Sequence, residues 1–295
     1  MKSSRKGLTM VLISSFVFGT VPSAVTFCYS QGATSTLVIS VRYIALALLM
    51  LPTVLRDKHH CFSFLKQKWR YLLCLSFFCT VTPLLLFQAY KLLPTGCATA
   101  LHFMYPTFVM LLSVLVFRER ISRTKLLCFL LCFGGIALML DTTVGGVSVT
   151  GVLLALISGL TWACYIVAVD KLELGSISSS QMMFFVEVGD LILLSLYCAL
   201  FGGFNFEVTR IGWAAIIASG IIISVFGTLF FTIGVRYTDA QVSSIVSTFE
   251  PITSVLVGVF LLGEPFTLKN ALGTGMILTA VVVLSLFETA KASTE

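Results

Sequence analysis

The chain is expected to be an all-α polytopic membrane protein, with ten transmembrane helices arranged as two inverted five-helix repeats. Three observations predict this. The 295 residues are 58% hydrophobic and only 11% charged, and the mean hydropathy is +1.03, values far from those of a soluble domain. The apolar residues gather into runs of about 20, the length that crosses a bilayer as a helix. Residues that are costly in such runs recur at one spacing: Pro106 and Pro251, and Glu119 and Glu264, are both 145 apart.

The runs fall at about 8–28, 34–54, 71–90, 95–116, 123–141, 151–170, 180–201, 212–235, 240–261 and 269–287. The first follows Lys2, Arg5 and Lys6 and continues without an A-x-A cleavage site, which reads as an uncleaved first helix. Connections are short except for the polar stretch Arg56 to Arg70. With the N-terminus cytoplasmic, that side carries 15 of the 19 Lys and Arg, the other face 3, and Arg42 lies inside the second run. That bias places both termini in the cytoplasm of a multi-pass cell-membrane protein. The nine cysteines, Cys128 and Cys132 among them, lie mostly in apolar runs without C-x-x-C spacing and read as small packing residues.

The repeat divides the chain into 1–146 and 147–295. Gly7, Leu12, Ile13 and Ser14 match Gly151, Leu156, Ile157 and Ser158 at a spacing of 144, and Lys91 matches Arg236 at 145. Five runs per half is an odd number, so the second copy enters the membrane from the opposite side. Such halves place a central site near the midplane. The stretch from Thr248 to Glu264 organises the rest, because it holds Glu250 and Pro251 near the middle of an apolar run. A carboxylate there must face protein or a water-filled cavity, and Pro251 frees a backbone carbonyl.

Glu250-Pro251, Leu262-Gly263-Glu264, Gly273 and Gly275 resemble the signature of EamA-type domains of the drug/metabolite transporter superfamily. Their first-half counterparts are Tyr105-Pro106, Phe117-Arg118-Glu119 and Gly134-Gly135, and Val41-Arg42-Tyr43 is similar to the family's Arg-aromatic start. The resemblance covers nearly the whole chain and implies solute export or exchange. Two positions depart from it: Arg118 stands where the family usually has Gly, and Glu187 stands at the repeat position of Arg42. The first run also lacks the acid on which the small multidrug-resistance relatives rely.

The residues expected to bind substrate or couple its movement are Glu250, Tyr105, His102, Arg42, Glu187, Trp162 and Gln88. Pro106 and Pro251 are expected to act as structural hinges. At its depth Glu250 should take up a proton during transport or pair with a cationic substrate group. Arg42 and Glu187 form either a structural ion pair or two walls of one cavity, and Asp190 lies on Glu187's helix face. His102 shares a face with Tyr105, the repeat partner of Glu250. Tyr90 and Tyr165 are further lining candidates. Glu119 and Glu264 end helices and read as structural, and Gly134, Gly135, Gly273 and Gly275 as sites of close helix approach.

The sequence carries no phosphate-binding G-x-x-x-x-G-K-[ST], no H-E-x-x-H and no G-x-S-x-G, so neither an ATP-driven pump nor a familiar hydrolase is expected. No metal or cofactor is expected, and no nucleic acid. The expected partners are the lipid bilayer, a small-molecule solute and optionally a coupled proton, for a monomer or a homodimer. The best reading is a secondary transporter of a small polar metabolite such as an amino acid, working by alternating access. The alternatives are an uptake carrier for a nucleotide-like or vitamin-like metabolite, for which Arg42 alone offers a buried positive charge, and a polytopic membrane enzyme.

Overall fold

The computed structural model describes residues 4–93, 95–118, 121–139, 148–172, 177–203, 205–262 and 268–294. Among them every regular element is a helix. The first half holds α1 (Ser4–Phe18), α2 (Val21–Ser30), α3 (Ser35–Arg56), α4 (Lys58–Leu92), α5 (Thr95–His102), α6 (Tyr105–Leu115) and α7 (Arg123–Met139). The second holds α8 (Val149–Lys171), α9 (Ser179–Phe201), α10 (Arg210–Ile222), α11 (Phe230–Tyr237), α12 (Ala240–Val246), α13 (Glu250–Leu262) and α14 (Leu268–Thr294).

Among the described residues, six stretches are long and apolar enough to cross a membrane: Arg5–Ser30, Ser35–Arg56, Lys58–Leu92, Val149–Lys171, Ser179–Phe201 and Arg210–Tyr237. The other apolar runs form α5 with α6, α7, α12 with α13, and α14. Large side chains such as Leu48, Leu115, Leu200 and Phe260 stay exposed on the outside, where a bilayer rather than water is the compatible solvent. The polar stretch read as a connection is helical: Lys58–Arg70 is the start of α4. It contains no Gly or Pro, so nothing in it interrupts the helix that Leu72 onward requires.

Several runs are broken near their middles. Between α1 and α2 the break is Gly19-Thr20, between α5 and α6 it is Phe103-Met104, and between α12 and α13 a single 3-10 turn spans Ser247–Phe249. Pro22, Pro106 and Pro251 each fall in the first two positions of the helix that follows, where a missing N–H removes no intrahelical bond. Between α10 and α11, Ile223–Leu229 is a π-helical turn, and its counterpart in α4 contains Pro83.

Packing follows one pattern in both halves. α4 lies on α8 much as α11 and the π turn lie on α1, and α4 meets α9 as α10 meets α3. α3 packs on α9, and α7 on α14. In that last pair a Cβ on Gly135 would sit 2.7 Å from the Gly273 carbonyl oxygen, so the helices touch backbone to backbone, whereas Gly275 faces open space. At one end of the bundle Lys125 pairs with Asp239 at 3.0 Å. There Arg236 also donates to the Ile177 carbonyl at 2.9 Å and to Ser179 at 3.0 Å. Arg118 ends the α6 segment at φ 53°, a left-handed conformation that favours glycine. Glu119 and Glu264 lie outside the described residues.

Candidate functional site

The broken helices surround a cavity with about 850 Å³ of empty space, its mouth included. Four pairs of lining residues stand 144 or 145 apart in sequence: Phe18 and Trp162, Arg42 and Glu187, Cys79 and Ser224, and Pro83 and Thr228. Phe18 and Trp162 touch edge to face, their ring centroids 6.0 Å apart.

Glu250 borders the cavity at the first position of α13, where the helix N-terminus favours a carboxylate. Its Oε2 lies 3.3 Å from the hydroxyl of Tyr105, its partner at a spacing of 145. Tyr105 is fully buried and does not itself line the cavity. Its hydroxyl also donates to Ser247 Oγ at 2.7 Å, and Ser247 in turn donates to the Ser244 carbonyl at 3.0 Å. The phenol has one hydrogen, and the shorter bond to Ser247 takes the larger share of it. Glu250 therefore keeps most of its bonding capacity for whatever occupies the cavity.

His102 lines the same wall, with its Nδ1 2.9 Å from Ser158 Oγ. Ser158 donates its only hydrogen to the Ala155 carbonyl at 2.6 Å. The imidazole therefore carries its proton on Nδ1 and leaves Nε2 as an acceptor. The helices approach closely here: a Cβ on Gly159 would lie 2.7 Å from the His102 carbonyl oxygen. Trp162 stacks on Tyr165 at 5.0 Å and 9°, and Tyr165, wholly buried, shares a hydrogen bond with Thr232 at 2.8 Å. Tyr90 lines the cavity, and its hydroxyl accepts from Thr99 at 3.2 Å.

Arg42 on α3 and Glu187 on α9 border the cavity from facing helices, without an ion pair between them. Arg42 Nε and Glu187 Oε2 are buried and have no hydrogen-bond partner. Asp190, fully buried behind Glu187, accepts from Thr80 Oγ1 at 3.0 Å through Oδ1, while its Oδ2 is unpartnered.

Of the residues expected at the site, the structure brings Glu250, His102, Arg42, Glu187 and Trp162 onto one cavity, with Tyr105 behind Glu250. Gln88 is half-buried and does not reach it. Pro106 is buried at the α5–α6 break, and Pro251 follows the 3-10 turn. Sequence reasoning missed Phe18, Thr82, Ser224 and Thr228. The signal available for Phe18 was its register with Trp162.

The profile of the EamA-like transporter family matches residues 5–141 and again residues 149–286. The chain belongs to this family. Among EamA-like relatives, an uncharacterized transporter of Archaeoglobus fulgidus is 29% identical over 281 residues, covering 95% of this chain and 96% of that protein. The uncharacterized inner membrane transporter YicL of Salmonella typhimurium is 27% identical over 299 residues, covering 97% of each. A solved crystal structure, at 20% identity and a TM-score of 0.80, covers 97% of this chain and 98% of its own and shows the same fold. Membership of the EamA-like transporter family, the transporter-named relatives and the several apolar helices support a multi-pass membrane transporter.

Proposed function

We propose that this EamA-like protein is a secondary transporter that moves a small polar metabolite bearing an amine, such as an amino acid, across the cell membrane in export or exchange. The observation that carries the reading is the meeting of Tyr105 and Glu250, 145 residues apart, beside one cavity lined by further pairs at that spacing. Two five-helix halves related by an axis in the membrane plane would produce such meetings. The matched packing of α4 on α8 and α11 on α1 supports the same relation. Alternating access then consists of the halves rocking about the cavity, with the breaks at Pro106 and Pro251 as hinges. The Lys and Arg bias favours cytoplasmic termini.

The acids favour an amine. Glu250 and Glu187 border the cavity, whereas Arg42 is the one Lys or Arg among its lining residues. That balance speaks against a carrier for nucleotide-like solutes, which would need more positive charge. Trp162, Phe18 and Phe87 offer apolar and cation–π surface to the rest of the solute.

The test is counterflow in proteoliposomes with amino acids, polyamines, nucleosides and vitamins. Flux of an amine-bearing solute is expected, and Glu250→Gln should weaken its half-saturation about 10- to 100-fold, the worth of a charge-assisted hydrogen bond. Flux confined to solutes without an amine would refute the substrate reading. Flux of none, from protein that remains folded, would refute transport.

A further inference from the structure

We propose that Glu187 and Asp190 form a proton-binding site in the wall of the cavity, the two carboxylates sharing one proton beside Arg42. The residues stand one turn apart on α9, so their carboxylates share a face. Glu187 is 2% exposed and Asp190 0%, and each has one buried oxygen without a partner. Arg42, within electrostatic reach of both, has its Nε buried and unpartnered. The cluster therefore contains three buried polar atoms, Arg42 Nε, Glu187 Oε2 and Asp190 Oδ2, that have no hydrogen-bond partner.

Charge arithmetic assigns the ligand. Two ionised carboxylates and one guanidinium leave one negative charge, and a single proton removes it. The other groups facing the pair add no charge. From α3 comes Tyr43, whose hydroxyl donates to the Cys79 carbonyl at 3.1 Å. From α4 come the Cys79 thiol and Thr80, already bonded to Asp190. From α8 comes Tyr165, whose hydroxyl is shared with Thr232. From the π turn comes Ser224, which donates to the Arg42 carbonyl at 3.0 Å. A metal cation fits poorly, because it needs about six oxygens and the guanidinium would repel it. A proton needs only two oxygens brought together.

Glu187 borders the cavity and Asp190 does not, so the proton enters and leaves through Glu187. Arg42 and the proton compete for the same carboxylates. Turning the guanidinium onto Glu187 releases the proton to the cavity, and drawing it away, as an anionic group on a solute would, restores the proton. Use of the site for coupling rests on the transport reading, but its existence does not.

The test is infrared absorption of the purified full chain in lipid nanodiscs, following the carbonyl band of protonated carboxylic acid across a pH series. Removing either acid leaves one carboxylate with Arg42, a neutral pair that needs no proton. On the background of Glu250→Gln, where Glu250 contributes no carboxyl band, the band should therefore persist, and it should vanish when Glu187→Gln or Asp190→Asn is added. Its survival in those two double variants overturns the site. Should those variants fail to fold, Thr80→Val keeps all three charges and removes only the hydroxyl on Asp190. It should shift the band, and an unmoved band also overturns the site. A stabilisation specific to sodium over potassium in the wild type, lost in Asp190→Asn, would assign a metal cation instead and overturn the proton. None of these results depends on flux, so they can fail separately from the counterflow experiment.

Discussion

At the scale of single residues, the site is governed by where a few hydrogens go. Tyr105 divides one hydrogen between Ser247 and Glu250, at 2.7 and 3.3 Å, and Ser158 commits its hydrogen to Ala155, which fixes the tautomer of His102. Tyr105→Phe removes one bond while Ser247 keeps its bond to the Ser244 carbonyl. A loss of about 1 kcal/mol is expected, read as a small fall in the melting temperature of purified protein. The loss should persist on the background of Ser247→Ala, because the hydroxyl then gives its hydrogen wholly to Glu250. Arg118 is the other residue whose local conformation decides its effect. At φ 53° an ordinary side chain is strained by about 1–2 kcal/mol. Arg118→Gly should raise the melting temperature slightly, since glycine's greater freedom in the unfolded chain offsets part of the gain.

At the scale of elements, close approach of helix backbones sets the cavity walls. Gly159 on α8 leaves no room for a Cβ against the His102 carbonyl oxygen on α5. The obstacle is backbone rather than a movable side chain, so Gly159→Ala should destabilise by about 1–3 kcal/mol, as overpacking does. Gly275→Ala is the matched control: on α14 its Cβ meets nothing within 4 Å, so thermal unfolding should be unchanged or slightly raised. Equal losses in the two variants would mean that helix flexibility, not contact, is what the glycines provide.

At the scale of the whole molecule, the family fold was legible because few physical signals were needed. Long apolar runs, and an acid and proline recurring at one spacing, suffice to draw an all-helical membrane chain of the EamA type. Glu250, Arg42 and Glu187 stood out because charge in hydrocarbon demands a cavity, and all three border one. Phe18 and Thr228 did not stand out, since an aromatic or a hydroxyl inside an apolar helix looks the same whether it packs or lines a site. Gln88 was misleading for the same reason, as its polarity says nothing about the direction it faces. The helical start of α4 was missed because charge density was read as a loop, although Lys58–Arg70 lacks any helix breaker. Orientation is a whole-chain property with its own test. With cytoplasmic termini, a fluorescent protein fused after Glu295 should fluoresce and alkaline phosphatase fused there should be inactive; the reverse pattern would invert the proposed topology.

The π turn at Ile223–Leu229 has a consequence for how the chain tolerates change in length. A π turn holds one residue more than an α-helix of the same span, so deletion of one residue there would close into regular helix without leaving a gap. Everything downstream in α11 would then keep its rotation and height, because the α-helix that replaces the π turn covers the same span with one residue fewer. Arg236 would keep the Ile177 carbonyl and Ser179, and the Lys6 ammonium would stay over the Tyr237 ring, from whose centroid it now lies 4.9 Å. The extra residue is thus one that the helix can lose without losing its register. A one-residue deletion inside Ile223–Leu229 should therefore leave that end of the bundle intact, whereas a one-residue deletion within α11 before Arg236 would turn Arg236 away from both of its partners.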